Sequence, residues 1–110
     1  MKTLLIFLAL FAGQMRTLQD KPLVRLHPGQ DSIPAEFGGH VVELGDTPQV
    51  IQLPKLPPKA DAHGLAWTVD VKNEGSTAVT LIGNAQFTVH LGVGRVVSIK
   101  STGAGYLVVQ

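Results

Sequence analysis

The sequence predicts an all-β protein: a small antiparallel β-sandwich or barrel with a C-terminal five-strand meander and an apolar N-terminal segment. Three observations predict it. Apolar residues make up 45% of the 110 residues and charged ones 15%, while 12 Gly and 7 Pro supply frequent turns, a composition of short strands. From residue 65 apolar and polar side chains alternate with the period of two that marks a half-buried strand. Turn residues punctuate that half every eight to twelve positions, the spacing of sandwiches and barrels.

The C-terminal half is the more legible. Leu65, Trp67, Val69 and Val71 alternate with Ala66, Thr68, Asp70 and Lys72, predicting a strand whose first set faces the core. Asn73-Glu74-Gly75-Ser76 follows as a turn, with Gly75 expected to supply a positive φ. Residues 77–82 are rich in β-branched side chains. Gly83-Asn84 reads as a two-residue hairpin loop of the primed type. Ala85, Phe87, Val89 and Leu91 then alternate with Gln86, Thr88 and His90. Gly92-Val93-Gly94 is read as a hairpin turn, 95–100 as a strand, Gly103-Ala104-Gly105 as a second turn and 106–109 as the last strand. No window here repeats apolar residues at helical spacing without an intervening Gly.

The first half is less regular. Residues 22–27, 40–44 and 48–53 read as short strands, and 28–34, with Pro at each end, as a long loop. Pro54, Pro57 and Pro58 make 54–64 an extended connector, expected to cross from one sheet to the other. The expected organisation is therefore an apolar segment at 1–13, N-terminal strands and loops at 14–53, the Pro-rich connector at 54–64 and the meander at 65–110, with 14–110 forming one domain.

Residues 1–13 carry a basic start at Lys2, a ten-residue apolar run from Leu4, and the small residues Ala12 and Gly13. That pattern fits a signal peptide, although Leu10 or Phe11 would then occupy a position where a small residue is preferred. A retained assembly arm is the next reading, and a core helix the third. As a helix the run would extend about 15 Å, half of a bilayer's hydrocarbon thickness, so it is not a spanning segment.

Several function classes are disfavoured. Net charge is +1, and the three Arg stand apart at 16, 25 and 95 with no basic run, so no nucleic-acid partner is expected. There are no cysteines, hence no disulfide, thiolate metal site or cysteine nucleophile. His27, His40, His63 and His90 are all more than ten residues apart and lack metal-ligand spacing. The carboxylates Asp20, Asp31, Glu36, Glu43, Asp46, Asp61, Asp70 and Glu74 are scattered, and none of Ser32, Ser76, Ser98 or Ser101 lies in a nucleophile motif. Gly92-Val93-Gly94 and Gly103-Ala104-Gly105 lack the third Gly and the helix of a phosphate loop. Trp67 is a candidate sugar-stacking platform, but it shares a face with Leu65, Val69 and Val71 and is read as core. The expectation is no enzyme, with no catalytic, cofactor-binding or metal residues and no cofactor.

Trp67-Thr68-Val69-Asp70-Val71-Lys72-Asn73-Glu74-Gly75, Ala78-Val79-Thr80-Leu81, Phe87-Thr88-Val89 and Gly105-Tyr106-Leu107 together resemble the small β-domains of tailed-phage virion proteins, of the fibre, tail and capsid-decoration kind. The likeness covers about 45 residues at the C-terminal end. It implies a multimeric, non-catalytic virion component, with other protein subunits as partners in a homo-oligomer or larger assembly. It carries over no binding residues. The alternative expectation is a secreted or periplasmic β-sandwich that binds a carbohydrate or a protein.

Overall fold

A computed structural model describes residues 21–84 and 86–109. The expectations placed on residues 1–13 and on the following stretch to residue 20 lie outside the described residues. Eight strands form: β1 (Leu23–Arg25), β2 (Val41–Leu44), β3 (Val50–Gln52), β4 (Thr68–Asn73), β5 (Val79–Ile82), β6 (Thr88–Leu91), β7 (Val96–Ser101) and β8 (Tyr106–Val109). The one helical element among the described residues is a single 3-10 turn, Ala35–Phe37. The protein is all-β, with a five-stranded sheet ordered β1-β2-β4-β7-β8 and a three-stranded sheet ordered β3-β5-β6.

Both sheets bury one face in a shared core. The large sheet contributes Val42, Leu44, Val69, Val71, Ile99 and Tyr106, joined by Trp67 just before β4; the small one contributes Ile51, Val79, Leu81 and Leu91. Leu26, Ile33 and Leu53, from the connecting segments, complete it. Burying each such side chain stabilises the fold by roughly 1.5–3 kcal/mol before the entropy of ordering is counted. The strict alternation of β4, with Val69, Val71 and Asn73 inside and Thr68, Asp70 and Lys72 outside, is the period read from the sequence.

The five C-terminal strands occur in the expected order and are divided between the sheets. β4 pairs antiparallel with β7, β7 with β8, and β5 with β6. The expectation of antiparallel pairing is corrected in the N-terminal half, where β1 runs parallel to β2, β2 to β4, and β3 to β5. Parallel neighbours require a long return path. Residues 26–40 supply it for β1 and β2. Between β2 and β4 the chain visits the small sheet as β3, and 54–64 makes the expected crossing back.

Three turn readings are corrected as well. The hairpin loop between β5 and β6 is longer, closed by Gly83 N–H to Phe87 O at 2.9 Å and Phe87 N–H to Asn84 O at 3.1 Å, with the positive φ (70°) on Gln86. Gly83 is required for close approach instead, since a Cβ there would stand 2.7 Å from the Tyr106 ring. Gly75 likewise does not supply a positive φ; a Cβ would meet the Gly45 carbonyl oxygen at 2.2 Å. The turn at 92–94 forms, with Gly94 at φ 77°, but it links β6 in one sheet to β7 in the other and is no hairpin. Leu65, expected in the core, is 65% exposed. Its N–H and C=O are tied to Asp61, which bends the chain away from the sheet before Trp67 enters it.

Candidate interaction surface

Of the groups first considered for chemistry, Trp67 and His40 are held by hydrogen bonds to backbone carbonyls. The indole N–H of Trp67 donates to Ala35 O at 2.6 Å, and its ring packs edge-on to Tyr106 with centroids 5.9 Å apart. Trp67 is fully buried and is a core residue with its polar atom satisfied, so it offers no stacking platform. His40 Nδ1 lies 3.1 Å from the carbonyls of Phe37 and Gly38, which requires the proton on that nitrogen. His90 is exposed on β6 beside the Thr80 hydroxyl, and His27 and His63 are exposed in loops. Among the described residues no three His, Asp or Glu side chains gather where they could hold a metal ion.

Five carboxylates, Glu43, Asp46, Asp61, Asp70 and Glu74, have hydrogen-bond or ion-pair partners. Asp70 takes Lys21 Nζ at 3.1 Å and the Ser98 hydroxyl at 2.7 Å; Glu43 takes Arg25 at 2.7 Å, and Glu74 takes Lys72 at 3.1 Å. These pairs lie on the outer face of the large sheet or at the turn that ends β4, where exposed ion pairs contribute at most about 1 kcal/mol each. Asp61 organises the turn before Trp67: its Oδ1 accepts the N–H groups of His63 and Leu65 at 2.8 and 2.9 Å. The Leu65 N–H foremost holds its carboxyl below the usual carboxylate range, against a smaller opposing desolvation and with lesser help from the His63 N–H and ring charge. Ser101 donates to Pro58 O and anchors the connector, while Ser76 reaches Asp46 at 3.4 Å.

What distinguishes the surface is the treatment of the four sheet edges. β1 is three residues long and carries the Arg25–Glu43 pair. β3 is covered by a strap: Gln52 N–H donates to Asp31 O and Ile33 N–H to Gln52 O, both at 2.8 Å, with Ser32 bridging Gln52 in parallel. β6 exposes the polar Thr88 and His90. β8 has none of these protections. Its Tyr-Leu-Val-Val run has no charge and no Pro, and nothing among the described residues pairs with its outer side. Leu107, Val108 and Val109 are 43%, 40% and 39% exposed. Val108 stands opposite Ile99, on the same side of the strand as the buried Tyr106, and is still open. An uncharged, unpaired strand edge is a ready template for another strand.

A second feature is an open groove of about 430 Å³ over the strap and the end of β3, lined in part by Asp31, Ser32, Gln52 and Lys55. It adjoins a recess of about 220 Å³ reaching Gly83 and Asn84. No described helix is long and apolar enough to cross a membrane. The strap and the free β8 edge went unread in the sequence, although a terminal run without charge or Pro is the available signal for the latter. Comparison with protein-family models, curated proteins and solved structures returned no match.

Proposed function

We propose that this chain is a non-enzymatic β-module that docks on other protein subunits, as an accessory component of a phage-like particle of the decoration, tail or fibre-associated kind. The observation that carries the docking is the β8 edge, unpaired and uncharged among the described residues, beside three protected ones. Three ion pairs, Lys21–Asp70, Arg25–Glu43 and Lys72–Glu74, lie on the surface, in keeping with a scaffold role. The particle context rests on the resemblance of the Trp67–Leu107 region to virion β-domains. Mass spectrometry of particles purified from cells carrying the gene is the test: the intact chain from Met1 is expected in stoichiometric amount, and its absence from particles overturns the assignment.

A second reading is an exported β-sandwich binding a carbohydrate or protein ligand. It is favoured by the signal-like residues 1–13 and by the polar groove at Asp31, Gln52 and Lys55. N-terminal sequencing separates the two, since a chain beginning near Gln14 supports export and an intact Met1 supports assembly.

A further inference from the structure

Resting on the reading of this chain as a docking module, we propose that the free β8 edge pairs with β8 of a second copy, antiparallel and centred on Val108. The hydrogen-bond alternation of the β7–β8 hairpin sets the register. Thr102 N–H donates to Gly105 O, which makes 102 and 105 a hydrogen-bonded pair. Pairs alternate along an antiparallel ladder. Lys100 with Leu107 and Ser98 with Val109 are therefore bonded pairs, and Ile99 with Val108 is not. The N–H and C=O of Val108 consequently point away from β7, toward the free edge.

A two-fold axis through Val108, perpendicular to the sheet, satisfies both groups at once. Val108 exchanges two hydrogen bonds with its mate, while Leu107 stands opposite the mate's Val109 and Val109 opposite the mate's Leu107. These are the three exposed residues of the strand, each covered by another member of the same set. Leu107 and Val109 meet in closely spaced pairs on the outer face, where side-chain contact is best.

The occupant follows from charge. The edge has no charged group to recruit an acidic or basic partner strand, whereas every copy of the chain carries a matching uncharged one. The nearest cation along the edge is Lys100, on β7 opposite Leu107. In the paired arrangement β7 and its mate are three strand spacings apart, about 14 Å, beyond the Debye length of about 8 Å at physiological ionic strength. Self-pairing thus meets little repulsion. A four-residue edge makes an interface below the standard size, so the pairing is weak in free solution and strengthens where subunits are concentrated in an assembly.

The absence of cysteine makes single-cysteine variants of the full chain a clean probe. At a bonded antiparallel pair the Cα atoms stand about 5.5 Å apart, within the disulfide range of roughly 4.4–6.8 Å. Under mild oxidation Val108→Cys should form a covalent dimer about tenfold faster than His90→Cys on the β6 edge, a difference of about 1.4 kcal/mol in barrier. Equal rates overturn the proposal. In sedimentation equilibrium the wild-type mass should climb toward the dimer value as concentration rises from about 10 µM to about 1 mM, as expected of a small interface. Val108→Pro removes only the outward N–H, and Leu107→Lys sets a charge against the mate's Val109. Either should hold the mass at the monomer value, and association that survives both overturns the proposal. Loss of Val108→Cys cross-linking on deletion of residues 1–13 also overturns it, by assigning the association to that segment and not to the edge. If the chain is exported and absent from particles while Val108→Cys still cross-links, the particle reading fails and self-pairing stands; particle incorporation without cross-linking fails self-pairing alone.

Discussion

Asn73 offers the sharpest test of how the two sheets are held together. It ends β4 with its side chain fully buried, although Asn is among the residues least often found there. Its Nδ2 donates to Thr77 O at 2.9 Å and to Leu91 O at 3.1 Å, and its Oδ1 accepts the Gly75 N–H at 3.0 Å. The side chain thus closes the turn after β4 and ties it to the end of β6 in the opposite sheet. Asn73→Ala removes three hydrogen bonds and leaves two carbonyls and one N–H short of a partner. At about 1 kcal/mol net per bond the loss is about 3 kcal/mol, a large share of the roughly 5–15 kcal/mol that stabilises a domain. For a domain of this size that corresponds to a fall in Tm of roughly 12–24 °C. Trp67, the only tryptophan and fully buried, reports unfolding directly, so urea titration followed by its fluorescence measures the change. Asn73→Asp keeps the shape but turns a carboxylate toward two carbonyls, and should cost more than Asn73→Ala at pH 7. A change below about 0.5 kcal/mol for Asn73→Ala, the level of an ordinary surface substitution, would refute the reasoning.

Three further outcomes follow from local geometry. Gly75→Ala, whose Cβ would lie 2.2 Å from Gly45 O, should cost about 1–3 kcal/mol in the same titration, whereas Gly29→Ala, with nothing within 4 Å, should stay within about 0.5 kcal/mol. Gln86→Gly should stabilise by about 0.5 kcal/mol, because relief of the left-handed conformation slightly outweighs the extra freedom Gly brings to the unfolded chain; a loss of stability would mean that the Gln86 side chain makes contacts of its own. Tyr106, the only tyrosine, has its phenol pushed by burial from 10.0 up to about 12. Its stabilising effect is therefore complete below pH 10 and is lost as pH rises toward 12, since the unfolded chain ionises first. Absorbance at the tyrosinate band should stay flat through pH 10 in the folded protein, and a midpoint at the ordinary value would contradict the burial.

Strand existence was legible where the pattern repeats most. In β4 alternating apolar residues identify strand and inner face together, and both match the structure. The connector at 54–64 was legible because its prolines cannot take part in a ladder. Turn chemistry was legible only as location. Gly75 and Gly83 mark turns, yet both are needed for the proximity of Gly45 and Tyr106, neighbours that exist only after folding. Leu65 fits the alternation and still leaves the core, since Asp61 captures its backbone first. For the candidate surface, the sequence displays the uncharged run at 106–109 but cannot say that it lies at an edge.

By itself, then, the sequence determined where strands lie and, in the alternating segments such as β4, which face is buried, because a side-chain period of two is a property of one segment of chain. Only the tertiary structure decided which strands pair, in which direction and in which sheet. Backbone hydrogen bonds are the same for every partner, so the choice falls to how the inner faces fit around Trp67 and Asn73. That choice put β5 and β6 in the small sheet, made the first pairings parallel, and left one side of β8 unpaired among the described residues.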